Sequence, residues 1–355
     1  LIAALALPAC ASTNPLAGGA PQPAPQVVAT APPQQGTDLE DNESLPVAAN
    51  SLAQRPEVQA FIREMARRHG FSAEALREIF SRAQAQPSII AAITRPAEAK
   101  PWYAYRRIFL TPTRIDRGVA FWSRHREALE RARAEFGVHP EVIVAIIGVE
   151  TLYGGNTGSY RVLEALSTLA FDYPRRADFF RKELEEYLLM TREEGIDPLA
   201  LKGSYAGAMG LGQFIPSSYR AYAVDFDGDG HRDLWNNPVD AIGSVANYLA
   251  RHRWQRGEPI ATPARVSGSA WQPLVMDRLA PPERDVSTLV QAGVDPLGQI
   301  NGQRDAILLE LEGETGPEYW LGFNNFYAIT RYNHSPLYAM AVYQLGQEIL
   351  QARGN

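Results

Sequence analysis

A glutamate that closes an unbroken apolar run is the residue whose type and position most directly suggest chemistry. Glu150 follows Val142-Ile143-Val144-Ala145-Ile146-Ile147-Gly148-Val149 and precedes Thr151-Leu152-Tyr153-Gly154-Gly155. Pro140 suits the first turn of a helix, and a run that is apolar on every face predicts a helix lying buried. A carboxyl at the end of such a helix loses hydration, which disfavours its charged form. The partial negative charge of a helix C-terminus pushes the same way. Such a carboxyl can hold a proton near neutral pH and deliver it to a leaving oxygen. The local pattern equally allows a carboxylate that clears the helix end and meets water.

Two further segments carry groups suited to a ligand. Ser204-Tyr205-Ala206-Gly207-Ala208-Met209-Gly210-Leu211-Gly212-Gln213-Phe214 sets several glycines around a few polar side chains. Glycines permit close backbone approach, and Ser204 and Gln213 can bond sugar hydroxyls or amides. The spacing is not that of a dinucleotide or phosphate loop. Asn333, in Arg331-Tyr332-Asn333-His334-Ser335, places a second amide beside an aromatic ring. A third segment, Asp225-Phe226-Asp227-Gly228-Asp229-Gly230-His231, has acids at positions one, three and five and Gly at six. This is the opening of an EF-hand loop, where alternating oxygens converge on a cation and His231 would offer its backbone carbonyl. Position twelve is Asn236 instead of Glu, so the standard loop is not completed. An acidic surface turn is the plainer alternative. No His/Glu cluster has zinc spacing, so the metal implied is a structural Ca²⁺ and no catalytic ion.

The elements that must position these groups read as mainly helical. Val58, Phe61, Ile62 and Met65 recur at three- and four-residue steps after Pro56, and Ser72 is placed to cap a helix carrying Leu76, Ile79 and Phe80. One long amphipathic stretch spans about 113–136, and further helices are expected over 163–170, 178–194, 238–252 and 336–352. Between about 256 and 330 Pro, Gly and Val increase. There 306–312 and 319–323 read as two short strands around a Gly-containing turn. The fold class is thus mainly α (α+β), with a small strand-rich insert before the last helix. A length of 355 residues allows one large core or a few sub-domains, and a net charge of -6 gives no global attraction to nucleic acid.

Several motifs in order then resemble one family. Gly148-Val149-Glu150-Thr151, Gly207-Ala208-Met209-Gly210-x-Gly212-Gln213-Phe214, Ala246-Asn247-Tyr248-Leu249 and Tyr332-Asn333 occur as in the lytic murein transglycosylases, most closely their membrane-bound B type. The resemblance runs from about residue 55 to the C-terminus. It implies a lysozyme-like core with a helical arm, acting on peptidoglycan glycan strands at the β-1,4 bond between N-acetylmuramic acid and N-acetylglucosamine. By that analogy Glu150 protonates the leaving oxygen, and the muramyl 6-hydroxyl closes a 1,6-anhydro ring in place of water. An ordinary glycosidase needs a second carboxylate; none accompanies Glu150 in its motif. The resemblance also places Ser204, Gln213, Tyr248, Tyr332, Asn333, Tyr105, Arg175 and Arg176 along the substrate groove. It closes the cation loop, 225–240, on Asp240, with one residue more here than in the family. No organic cofactor and no particular protein partner is implied. A muramidase cutting the same bond with water, or a silent peptidoglycan-binding protein, would share these features.

The N-terminus bears on location. Residues 1–9 are apolar or small and end in Leu7-Pro8-Ala9 before Cys10, the chain's one cysteine. This reads as part of a lipoprotein signal, too short to span a bilayer, with Cys10 as the lipid-carrying residue. Ala11, where an Asp would favour retention, points to the periplasmic face of the outer membrane. Residues 10–50, rich in Pro, Ala and Gln, cannot bury enough apolar surface to order themselves and read as a tether. The catalytic domain is then 51–355. When the protein is expressed with its complete signal, intact-mass spectra should show a lipidated N-terminus, and Cys10→Ser should lose both the lipid and the partition into membranes. An unlipidated parent N-terminus overturns the anchor.

Overall fold

The computed structural model describes residues 51–94 and 100–354. The expected signal (1–9), Cys10 and the tether (10–50) lie outside the described residues. The chain divides into two compact units, one built from residues 51–94 and 156–221, the other from 100–155 and 222–354.

The first unit is helical, and its sequence periodicity translates directly into burial. Helix Pro56–His69 buries Val58, Phe61, Ile62 and Met65, the four residues that share one face. Ser72 caps Ala73–Ser81, its hydroxyl accepting from the Ala75 N–H at 3.2 Å, and Phe80 meets Phe61 edge-on at 6.2 Å. Helices Val162–Asp172 and Ala177–Glu193 pack on one another. Arg55 donates to both oxygens of Asp172, at 3.0 and 2.6 Å, and fixes the start of the first helix against the end of Val162–Asp172. Strands β1 (Tyr160–Arg161) and β2 (Lys202–Gly203) pair antiparallel and lead into the Gly-rich segment. That segment folds back on itself: the N–H of Ser204 donates to Ala208 O at 2.8 Å, and Met209 and Phe214 exchange both backbone bonds at 2.9 Å.

The second unit holds the helix Pro140–Thr151 at its centre, buried from Val142 to Thr151 and packed between Pro112–Arg124 and Pro336–Gly354. The amphipathic stretch expected as one helix over 113–136 is two, Pro112–Arg124 and Arg126–Phe136. His125 leaves helical geometry at φ -115, ψ 26, its N–H closing the first helix on Phe121 O while its carbonyl opens the next to Leu129 N–H. An amphipathic pattern can run through such a break because the apolar face is resumed on its far side. Two short helices carry no strong period in the sequence and emerge only in the structure: Trp102–Phe109, with Tyr105, and Asn324–Tyr332.

The insert is an antiparallel sheet of β3 (Ala261–Val266), β4 (Arg284–Asp285), β5 (Val294–Pro296), β6 (Asp305–Glu312) and β7 (Pro317–Gly322), in the order β4-β6-β7-β3-β5. β6 and β7 form the expected hairpin, with Leu308 opposite Leu321 over a core of Val286, Leu289, Val294 and Phe323. The last strand ends at Gly322, one residue short of the expected 323. The final stretch of the insert, expected to run to about 330, is the helix Asn324–Tyr332, fastened to the segment before the sheet by Asn325. Its fully buried amide accepts from Gln255 N–H at 2.7 Å and donates to Gln255 O and Glu258 O at 2.8 Å.

Candidate active site

Glu150 sits in the last turn of its helix with 2% of its surface exposed. One carboxyl oxygen, Oε1, accepts from the Tyr338 hydroxyl at 2.6 Å. The other, Oε2, is buried and accepts no hydrogen bond from the described residues. Desolvation pushes the carboxyl up to about 8, against the opposing pull of the Tyr338 bond, which favours the anion. The buried end of the apolar helix has therefore produced a carboxylic acid that keeps its proton at neutral pH, and the water-exposed alternative is not realised.

Within this unit the groups facing Glu150 are phenols. Tyr105, Tyr332 and Tyr338 are all raised above the ordinary tyrosine range, first by burial and then by the Glu150 charge, so all three stay neutral hydrogen-bonding groups. Tyr105 stands on Trp102–Phe109 with its ring 5.3 Å from Phe109. Tyr332 ends the helix Asn324–Tyr332 and is fully buried, with Asn333 immediately beyond it, also buried. Tyr248 lies behind Tyr332, ring to ring at 4.8 Å, stacked on His252 at 4.1 Å and donating its hydroxyl to Arg331 O at 2.6 Å. Tyr338 was not singled out in the sequence. Its one signal there is its place five residues after Asn333, in the apolar first turns of the last helix.

The first unit holds the remaining expected site residues. The Ser204 hydroxyl accepts from the N–H groups of Ala206 and Ala208, at 3.3 and 3.0 Å. Gln213 is buried at φ 50, and its Nε2 donates to Gly210 O at 3.0 Å and Thr157 O at 3.2 Å. Both polar side chains thus hold the shape of their own loop. Arg175 is exposed, whereas Arg176 is half-buried over the rings of Phe179 and Phe180, at 4.2 and 5.3 Å. Glu183, which sequence reading passed over, is buried and accepts from the backbone and hydroxyl of Ser217 at 2.9 and 2.8 Å. Burial pushes it up to about 7.

The acidic loop in the second unit gathers carboxylate oxygens of Asp225, Asp227 and Asp229 within 4.8 Å of one another. Asp225 accepts the N–H groups of Gly228, Asp229 and Gly230, which hold its carboxyl below the usual range, Gly230 foremost. Gly230 adopts φ 94, the turn that needs a residue without Cβ. Three hard oxygen donors at this spacing fit a Ca²⁺ ion. The His231 N–H donates to Asp229 at 2.9 Å. Asp240 is outside that group of three, but the charge and the backbone N–H of Asp227 both act on its carboxyl. Fully buried, it accepts Phe226 N–H at 2.7 Å and Asp233 N–H at 2.9 Å and so fastens both limbs of the loop.

The chain matches the family model described as "Transglycosylase SLT domain" over residues 53–347. It is 45% identical over 343 residues to membrane-bound lytic murein transglycosylase B of Escherichia coli (strain K12), covering 94% of this chain and 93% of the relative. The crystal structure of soluble lytic transglycosylase SltB1 from Pseudomonas aeruginosa superposes with a TM-score of 0.81 at 53% identity, over 84% of this chain and 100% of that one. An Escherichia coli lytic transglycosylase solved in complex with calcium gives 0.79 at 46% identity, over 88% of this chain and 100% of that one.

The displaced titration of Glu150 has a stability consequence. Its folded value of about 8 lies above the ordinary 4.5 of an unfolded chain. Between those two values the folded chain retains a proton that the unfolded chain has released, so folding weakens as pH rises through the window. Glu150→Gln removes this penalty. Its stability relative to the parent's should rise between about pH 5 and about pH 8 by on the order of a few kcal/mol, read as a melting-temperature difference that grows with pH. Glu183 is present in both proteins and cancels. Thermal melts at the two pH values decide it; a margin that does not vary with pH refutes the displaced titration.

Proposed function

Since this chain belongs to the transglycosylase SLT-domain family, we propose that it is a peptidoglycan lytic transglycosylase with Glu150 as its acid and base. The observation that carries this reading is a fully desolvated carboxyl, raised to about 8, with one oxygen held by Tyr338 and the other accepting no bond from the described residues. In the proposed reaction the Glu150 proton passes to the oxygen linking N-acetylmuramic acid to N-acetylglucosamine, and the C1–O bond breaks. The substrate's own N-acetyl carbonyl supports the cation at C1. Ionised Glu150 then takes the proton of the muramyl 6-hydroxyl as that oxygen bonds to C1, closing the 1,6-anhydro ring and restoring the acid. Tyr338 holds the carboxyl in place and stabilises its anion between the two transfers. Tyr105 and Tyr332 offer flat amphipathic surfaces to the sugar, with Tyr248 as the support behind Tyr332. Asn333, Ser204, Gln213, Arg175 and Arg176 complete the proposed set of substrate-binding residues.

The calcium-bound relative supports a structural Ca²⁺ held by Asp225, Asp227, Asp229 and the His231 carbonyl. Bound there, the ion would neutralise carboxylates that otherwise repel one another. Asp240 is the proposed closing residue of that loop, and its carboxyl also accepts the N–H groups of Phe226 and Asp233. The relative named as membrane-bound supports an outer-membrane lipoprotein anchored through Cys10. Among the described residues no helix is long and apolar enough to cross a membrane.

Mass spectrometry of fragments released from purified peptidoglycan tests the reaction. Anhydro ends are expected, and Glu150→Gln should release them at least about 10²-fold more slowly while remaining folded. Reducing ends would instead make the protein a muramidase. For the loop, excess Ca²⁺ should raise the melting temperature, and Asp225→Ala should abolish the rise yet keep measurable cleavage. Identical melts with calcium and with chelator exclude the ion.

A further inference from the structure

Near the end of the Glu150 helix the second unit contains a half-buried cation that the reaction as described does not use. Arg114 lies in the first turn of Pro112–Arg124, and its guanidinium forks between the C-terminal turns of two other helices. Nε donates to Gly148 O at 3.0 Å, two residues before the acid on the Glu150 helix. NH1 donates to Ile108 O at 2.6 Å and Phe109 O at 3.3 Å, the last two residues of the helix that carries Tyr105. The guanidinium also lies over the Phe109 ring at 5.3 Å, the ring that packs against Tyr105. These acceptors are backbone carbonyls at the negative ends of helices, and a planar fork reaches two such ends where a point charge reaches one. Burial disfavours the Arg114 charge, so the contacts must repay its desolvation.

The same helix end is also held by its own turn. Leu152 and Tyr153 take φ 53 and 59, a strained left-handed pair of non-glycine residues. The turn sends the Tyr153 phenol back between two helices. A Cβ at Gly148 would come 2.4 Å from its hydroxyl and one at Gly118 2.6 Å, so both glycines are needed for the ring to fit. Such strain persists only where the surroundings over-determine it.

We propose that Arg114 is a positioning residue for the reaction: it ties the Glu150 helix to the Tyr105 helix and so holds the carboxyl against the Tyr338 hydroxyl. The inference rests on Glu150 being the acid. Within this unit, among the described residues, Glu150 is faced by the phenols of Tyr105, Tyr332 and Tyr338, and Arg114 by that of Tyr153, all neutral near pH 7. Loosening the helix end weakens the Tyr338 bond that stabilises the Glu150 anion, which moves the alkaline limb of the kcat profile to higher pH.

The experiment compares parent, Arg114→Gln, Arg114→Lys and Glu150→Gln as full chains, measuring kcat and KM against pH on soluble glycan fragments of peptidoglycan, with thermal melts to confirm folding. Folded Arg114→Gln should lose about 10- to 100-fold in kcat with KM within about twofold, and its alkaline limb should rise. Arg114→Lys, which can reach one carbonyl but cannot fork, should lose less kcat and raise the limb less. Parental kcat, or reduced kcat at a parental limb, in Arg114→Gln overturns the proposal. If that variant does not fold, Arg114→Lys decides: reduced kcat with a raised limb supports the role, and a parental limb removes it. An active Glu150→Gln would instead overturn the acid itself. An inactive one beside parental Arg114 variants defeats the positioning role alone.

Discussion

Desolvation of a single carboxyl governs the second unit. Holding Glu150 about three and a half pH units above its ordinary range costs the fold on the order of a few kcal/mol at neutral pH, a large part of the margin by which a protein of this size is stable. The cost is met by helix packing on every face of Pro140–Thr151, since burying an aliphatic side chain contributes about 1.5–3 kcal/mol. The surroundings of the acid follow from it. Near a carboxyl that must cycle between neutral and charged forms, a charged partner would fix one form, whereas phenols serve both. A phenol donates to the anion and, remaining neutral itself, lets the acid recover its proton.

Polar groups elsewhere are arranged by the same accounting. In the Gly-rich segment of the first unit, Ser204 and Gln213 satisfy backbone groups of their own loop, because a buried donor or acceptor without a partner costs about 1–3 kcal/mol. A loop with its backbone already satisfied can present a fixed surface to a sugar without reorganising. The acidic loop shows the converse. Asp240 is buried and accepts two N–H groups, while Asp227 and Asp229 are exposed with oxygens close to those of Asp225. The buried carboxylate ties the loop to the fold, and the other three gather toward the surface.

The backbone at the end of the Glu150 helix is where local preference yields to the site. Helices commonly terminate on a glycine in the left-handed region, yet here Leu152 and Tyr153 occupy it. A glycine at position 153 would relieve the strain but leave the slot between Gly118 and Gly148 empty. The phenol fills that slot, and Arg114 donates to the Gly148 carbonyl of the same turn.

The sequence by itself determined the elements whose signal is local. The apolar run before Glu150, the periodic face of Pro56–His69, the Ser72 cap and the β6–β7 hairpin were legible, because burial periodicity and capping act within a few residues of chain. The acid itself was legible as a candidate for the same reason, and the order of its neighbouring motifs gave the family. Tertiary structure alone decided whether Glu150 met water or a phenol, since its partner Tyr338 lies 188 residues away. It also decided that Tyr248 backs Tyr332, that Asp240 fastens backbone, and that 113–136 breaks at His125. Arg114 had no signal at all: its acceptors are main-chain carbonyls, which every residue possesses, so no side-chain pattern could mark them. What a carboxyl can do is written in its residue type; the proton it keeps depends on which atoms folding brings around it.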